Sequence, residues 1–515
     1  MKENYLNYQF FIKQKLPAMK LSFYHLRWFI LSILLVFCYK NGDAQGTGLI
    51  LEHKGYKNVP QVSKAFSGAA LGQIPQKVSL KEFCPKIVSQ GEIGSCVGWA
   101  TGYGAFTIMK AKAEGWTDVE EITKNAYSAM YIYNQTRIGD CYQGSLFTSA
   151  LNFLKKEGDC LSEEFDNPRE DCSRSPDEQI KKSVKKNTYE VKDYFTLFKS
   201  EETPQEKANQ TKTSLSEGKP VVIGMMIKEN FKDLKKEEEY WNPEKGNTDD
   251  AGGHAMVVVG YNDTKGAFEI MNTWGVEWGN NGYCWVKYED FGKYCVYGYQ
   301  LLVAKKQVDE FEPSMGGINQ RKEKLSAQFV FRYPVGYDEE NEIPLFDEAT
   351  TSFNGQNYTL TDNQWKKNQR FQLMTRKITK DRYVYVFSID PENSIRIHWP
   401  RHQQFNEKYI EYNEGAIVPY KDVEIIVPGK DRALIKDKSG KDYLFVLIST
   451  QPLDDLSDRI DEILGSEGDY LKRLYKSFGS RLIPTSKIEY KPNMEFRTTT
   501  QNQGYIVPLI LEVEN

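Results

Sequence analysis

Gln90-Gly91-Glu92-Ile93-Gly94-Ser95-Cys96 decides how this chain is read. It is answered far downstream by Gly253-His254-Ala255 and then by Asn272-Thr273-Trp274-Gly275. A thiol, an imidazole and a side-chain amide, in that order, are the groups needed to attack a carbonyl through sulfur. A thiol near its reference pKa of about 8.5 is only a few per cent thiolate at neutral pH, and a helix N-terminus or a positive neighbour lowers that value. Ser95 opens a predicted helix from Val97 to Ala113, which places Cys96 at the positive end of the helix dipole, with His254 as the second influence. Gly98, Gly102 and Gly104 within that helix read as positions of close packing.

The remaining roles follow from the same chemistry. The Asn272 side-chain oxygen is expected to hold one ring nitrogen of His254 so that the other faces the sulfur. Gln90, beside the backbone N–H of Cys96, is the expected donor to the oxyanion of a tetrahedral intermediate. Each residue taken alone has a plainer reading, since a lone Cys or His is more often a packing residue than a catalyst. Their joint pattern favours the chemical one.

Gln-Gly-x-x-Gly-Ser-Cys, His-Ala with an apolar run to Gly-Tyr, and Asn-Thr-Trp-Gly-x-x-Trp-Gly-x-x-Gly-Tyr together resemble the papain family of cysteine peptidases, in family order across residues 75–304. The resemblance implies an α+β, two-lobed fold with a helical lobe and a β-barrel-like lobe. It implies Cys96 as nucleophile, His254 as acid/base, Asn272 as orienter, Gln90 in the oxyanion hole, and Trp274 shielding the His254–Asn272 pair. A peptide or protein is the implied substrate, hydrolysed through an acyl-enzyme, and no cofactor or metal is expected. Three departures stand out. Ile93 replaces a bridging cysteine, so that bridge is expected to be absent; Val97 follows the nucleophile where an aromatic residue is usual; and His254 and Asn272 lie slightly farther from Cys96 than is typical, an excess assigned to surface loop within 200–250. A papain-fold scaffold without turnover and an acyltransferase using the same residues are the alternatives.

At 515 residues the chain is too long for one ordinary core. Residues 1–44 read as an export signal: Lys13, Lys15, Lys20 and Arg27 precede an apolar run, Trp28 to Tyr39, too short for a comfortable membrane span. Met1 and Met19 are both candidate starts. The expected location is periplasmic, cell-surface or secreted, with membrane association only through an uncleaved or lipidated N-terminus, and the bulky Phe37 before Cys38 argues against lipidation. Removing the six basic and two acidic residues of 1–44 takes the formal charge from −4 to −8. A mildly acidic chain is a poor match for nucleic acid.

Seven cysteines follow the signal, an odd number in a compartment where disulfides persist, so one free thiol (Cys96) and up to three bridges are expected. Cys160–Cys172 and Cys284–Cys295, each closing a short loop, are the expected pairings. The absence of a Cys-x-x-Cys pair leaves zinc without support.

Residues 45–74 form a short extension, too small for a large inhibitory prosegment; residues 305–328, with Pro313 and Gly316-Gly317, read as a linker. Residues 329–515 read as a β-rich, sandwich-like domain with no assigned partner. Alternating runs at 383–389 and 394–399 flank the turn Asp390-Pro391-Glu392-Asn393, and a helix is expected over 453–477. This region is similar to an uncharacterised β-rich domain attached to bacterial peptidases, a resemblance that implies no activity.

Overall fold

The computed structural model describes residues 47–62, 74–165, 171–306, 325–339, 343–361, 367–402, 405, 409, 412–420, 423–429, 432–499 and 504–514. The expected export signal and most of the expected linker lie outside them. The chain beyond residue 44 forms one compact unit.

The helical lobe is built on a continuous run made of Cys96–Gly98, a π-helical stretch Trp99–Phe106, and Thr107–Glu114. Its glycines permit contact rather than bending: a Cβ on Gly98 would lie 2.4 Å from the Ala129 carbonyl oxygen, and one on Gly102 would lie 2.5 Å from Ile132 Cδ1. Both neighbours belong to helix Ala129–Thr136, whose backbone can therefore approach closely. Helix Phe147–Glu157 buries Phe147, Ala150, Leu151 and Leu154, the 3.6-residue stripe that its sequence carries.

The β lobe is a seven-stranded antiparallel sheet. Its order is Tyr189–Thr196, Cys295–Lys305, Val221–Lys228, Asp250–Asn262, Ala267–Met271 and Tyr283–Lys287, with Lys77–Ser79 also on Asp250–Asn262. This order corrects the expected Cys284–Cys295 bridge. The two cysteines are near in sequence, but their strands are separated by three others, roughly 19 Å at the usual inter-strand spacing. Cys141 bonds Cys172 instead of Cys160, and Cys84, Cys96, Cys160, Cys284 and Cys295 are buried free thiols.

The segment 200–250 is only in part the expected surface loop: residues 235–240 and 244–249 are exposed and largely irregular, but the rest is ordered. Thr203 and Glu206 form a capping box that starts helix Pro204–Ser216, and Phe231 and Trp241 are buried beyond it.

Among the described residues the C-terminal region forms two further seven-stranded sheets. Strand Arg382–Ile389 turns back onto Ile395–Trp399 with Ile389 opposite Ile395, as its turn sequence predicts. On its other side it pairs with Lys441–Ser449, which pairs in turn with Ile506–Glu514. The second sheet centres on Ser326–Asp338 and Gln369–Ile378. The expected single helix over 453–477 is two, Leu456–Leu464 and Tyr470–Phe478, broken by the segment that holds Gly465 and Gly468. Lys219 ties the C-terminal region to the β lobe, donating to Asp381 Oδ1 at 2.9 Å and to the Pro419 carbonyl at 2.6 Å. Among the described residues no helix is long and apolar enough to cross a membrane.

Candidate active site

Cys96 is the first residue of its helical run and is fully buried. The backbone N–H groups of Ala255, Val97 and Cys96 itself reach its sulfur. Ala255 directly follows His254 in strand Asp250–Asn262, so the centre of the sheet brings the imidazole to the start of the Cys96 helix.

His254 Nε2 lies 2.8 Å from Asn272 Oδ1. The same oxygen accepts the Thr273 backbone N–H at 2.8 Å, which fixes which way the carboxamide faces. A carboxamide oxygen can only accept, so Nε2 carries the proton in this contact. Asn272 directly follows strand Ala267–Met271, and its own N–H donates to the Gly282 carbonyl. Trp274 stacks on the imidazole with ring centroids 4.4 Å apart and planes inclined by 23°. Behind Trp274 stand Phe231 and Trp278, each 5.7 Å away, and Trp241 packs on Phe231. The histidine–asparagine contact thus has an apolar backing, in which a hydrogen bond is electrostatically stronger than in water.

Gln90 is buried and held on three sides. Its N–H donates to the Thr273 carbonyl at 2.7 Å, its Oε1 accepts the Thr273 hydroxyl at 2.7 Å, and its Nε2 donates to the Ile93 carbonyl at 3.1 Å. Ile93 sits in an apolar cluster with Met130, Tyr133 and Cys160. Val97 is buried, and Trp99 donates its indole N–H to Ser95 Oγ at 3.1 Å.

The thiol departs from expectation. Burial pushes Cys96 up to about 12, against the downward pull of the Ala255, Val97 and Cys96 N–H groups. The loss of hydration outweighs three favourable dipoles, which disfavours the thiolate.

Sequence reasoning missed the Ala255 N–H, the grip of Thr273 on Gln90, and the Phe231–Trp241 backing. Thr273 stands next to Asn272, yet nothing in its type distinguishes it from an ordinary strand residue. It also missed that Gly48 to Ile50 bond to both lobes. Among the described residues no cluster of three or more His, Cys, Asp or Glu is placed to hold a metal.

Residues 74–304 match the family model described as papain family cysteine protease. An uncharacterized peptidase C1-like protein of Acanthamoeba polyphaga mimivirus is 26% identical over 205 residues, covering 38% of this chain and 62% of its own length. The chain thus spans about six tenths of that curated relative. Among solved structures, the cysteine protease xylellain from Xylella fastidiosa is similar at 21% identity, covering 51% of this chain and 97% of its own, with a TM-score of 0.42. A digestive procathepsin L 3 of the Tenebrio molitor larval midgut is similar at 15% identity, covering 48% and 77%, with a TM-score of 0.36.

Proposed function

We propose, from the premise that residues 74–304 belong to the papain family of cysteine proteases, that this chain is an exported endopeptidase acting through Cys96, His254 and Asn272. The observation that carries the reading is the His254–Asn272 contact at 2.8 Å, set one residue from the N–H that reaches the Cys96 sulfur.

Cys96 attacks the peptide carbonyl as His254 takes up its proton. The C–N bond then breaks with proton transfer from His254 to the departing amine, leaving an acyl group on sulfur, and water activated by His254 releases the acid. Asn272 and Trp274 hold the ring in place. Gln90 and the Cys96 N–H face the developing oxyanion, a contribution of about 3 kcal/mol for a single donor. Domain limits of 75–304 for the peptidase and 329–515 for the accessory region belong to the same reading, as does cleavage of a signal near Ala44.

The test compares residues 45–515 with the Cys96→Ala variant against a peptide library and a thiol-directed epoxide. Loss of both hydrolysis and labelling in the variant is expected; hydrolysis that survives it ends the assignment. N-terminal sequencing of exported protein checks the cleavage site.

A further inference from the structure

The short segment Thr47 to Val62 begins in the groove between the two lobes, where Gly48 lies against Gly94 and Leu49 N–H meets the Gly253 carbonyl, and is held at its far end by the C-terminal region. Leu49 N–H donates to the Gly253 carbonyl at 3.3 Å, one residue before His254. Ser145 N–H donates to the Gly48 carbonyl at 2.9 Å, and Ile50 N–H donates to the Ser145 carbonyl at 3.2 Å, a parallel β-bridge. Ser145 belongs to the helical lobe and Gly253 to the β lobe, so the extended segment Gly48–Ile50 spans the space between them.

The fit is close. The Leu49 side chain is buried, and a Cβ on Gly224 would lie 2.6 Å from its Cδ2 and 3.1 Å from Phe147. A Cβ on Gly48 would lie 2.2 Å from the carbonyl oxygen of Gly94, two residues before Cys96, and one on Gly144 would lie 1.9 Å from the Gly48 oxygen. Unpaired backbone groups on groove walls are what an extended peptide recognises. Here Gly253 and Ser145 are already taken.

The segment then becomes helix His53–Asn58, with the Glu52 carboxylate accepting from Thr148 N and Oγ1, and Tyr56 donating to the Phe198 carbonyl. Its far end is stitched to the C-terminal region. Gln61 N–H donates to the Asn413 carbonyl at 2.6 Å, Gly415 N–H donates to the Gln61 carbonyl at 2.9 Å, and Asn413 Nδ2 donates to the carbonyls of Lys57 and Val59. A cavity of about 530 Å³ opens beside this junction, lined by Lys57, Gln61, Lys199, Tyr412 and Asn413 among others, so the junction is reachable from solvent.

We propose that the C-terminal region is a latch: by gripping residues 57–61 through Asn413–Gly415, it keeps Gly48–Leu49 seated in the groove and the enzyme closed. The latch rests on the peptidase reading for its meaning, while its geometry does not. The complete burial of Cys96 accords with a closed state.

Two variants of the chain lacking residues 1–44 test it. Asn413→Ala removes two latch donors at a half-buried site, and Leu49→Ser removes the buried apolar anchor of the segment itself. Cys96 alkylation by iodoacetamide is read by mass spectrometry on its own peptide, and amide exchange is read over residues 47–62. Both variants are expected to alkylate roughly tenfold faster than the parent, with faster exchange at residues 48–50. Acceleration in Leu49→Ser alone would show a plug without a latch and overturn the proposal, as would no acceleration in either. Acceleration in both without peptide hydrolysis would leave the latch standing and defeat the peptidase reading. Thermal melting confirms that each variant is folded before it is scored.

Discussion

Thr273 grips Gln90 twice, through its hydroxyl on Oε1 and through its carbonyl on the Gln90 N–H, each at 2.7 Å. The amide proposed to face the oxyanion is therefore oriented from the strand end that carries Asn272, so the two halves of the site are set by neighbouring residues of one turn.

Thr273→Val keeps the shape and removes the hydroxyl. Loosening an oxyanion donor rather than deleting it is expected to cost about 1 kcal/mol, so kcat falls roughly fivefold with KM little changed. Thr273→Ser should restore most of the loss. A Val variant with unaltered kcat would mean that the hydroxyl plays no part in positioning Gln90.

His398 gives a pH prediction. It is buried with Nε2 2.8 Å from Ser388 Oγ, and burial, with Arg396 nearby, pushes it down to about 4. The unfolded chain takes up this proton near pH 6.5, whereas the native state resists until about pH 4. Stability from this group is thus fully present above pH 6.5 and is lost as pH falls to 4, by about 3 kcal/mol. His398→Gln should flatten that slope in urea titrations; an unchanged slope would place the acid sensitivity elsewhere.

Thiol titration separates one disulfide from three. Unfolded without reductant, residues 45–515 should present the five thiols of Cys84, Cys96, Cys160, Cys284 and Cys295 to a chromogenic disulfide, and reduction should add Cys141 and Cys172. A count of one before reduction would restore the three-bridge expectation.

Lys219 is almost fully buried between the β lobe and the C-terminal region, and burial lowers its pKa while Asp381 opposes the fall. Lys219→Met strips Asp381 and the Pro419 carbonyl of their donor, at a cost of about 2 kcal/mol. The expected sign is a melt that divides into two transitions, seen by calorimetry. A single, unshifted transition would show that this contact does not couple the regions.

Much of this was legible from sequence where local chemistry and period agree. The Cys96 helix, the stripe on Phe147–Glu157, and the hairpin at Asp390 to Asn393 each carry their own signal, and the spacing of Cys96, His254 and Asn272 was enough to nominate them. What escaped depends on topology. Cys284 and Cys295 look like a bridge until strand order separates them, and Gly465 and Gly468 split a helix whose periodicity alone runs on. The charged stretch after Ser200 masked a capped helix, because composition spoke louder than the Thr203–Glu206 pair. Gly48 and Leu49 gave no hint at all, since a segment's partners across some two hundred residues leave no trace in its own sequence.

Strand Ile506–Glu514 lies inside its sheet, pairing with Lys441–Ser449 on one edge and Tyr358–Leu360 on the other. That strand follows residues 74–306 in the chain, so the sheet beside Asn413 is completed only after they have been made. On the proposed reading, the region that carries Cys96 is therefore synthesised before the latch that would restrain it can form.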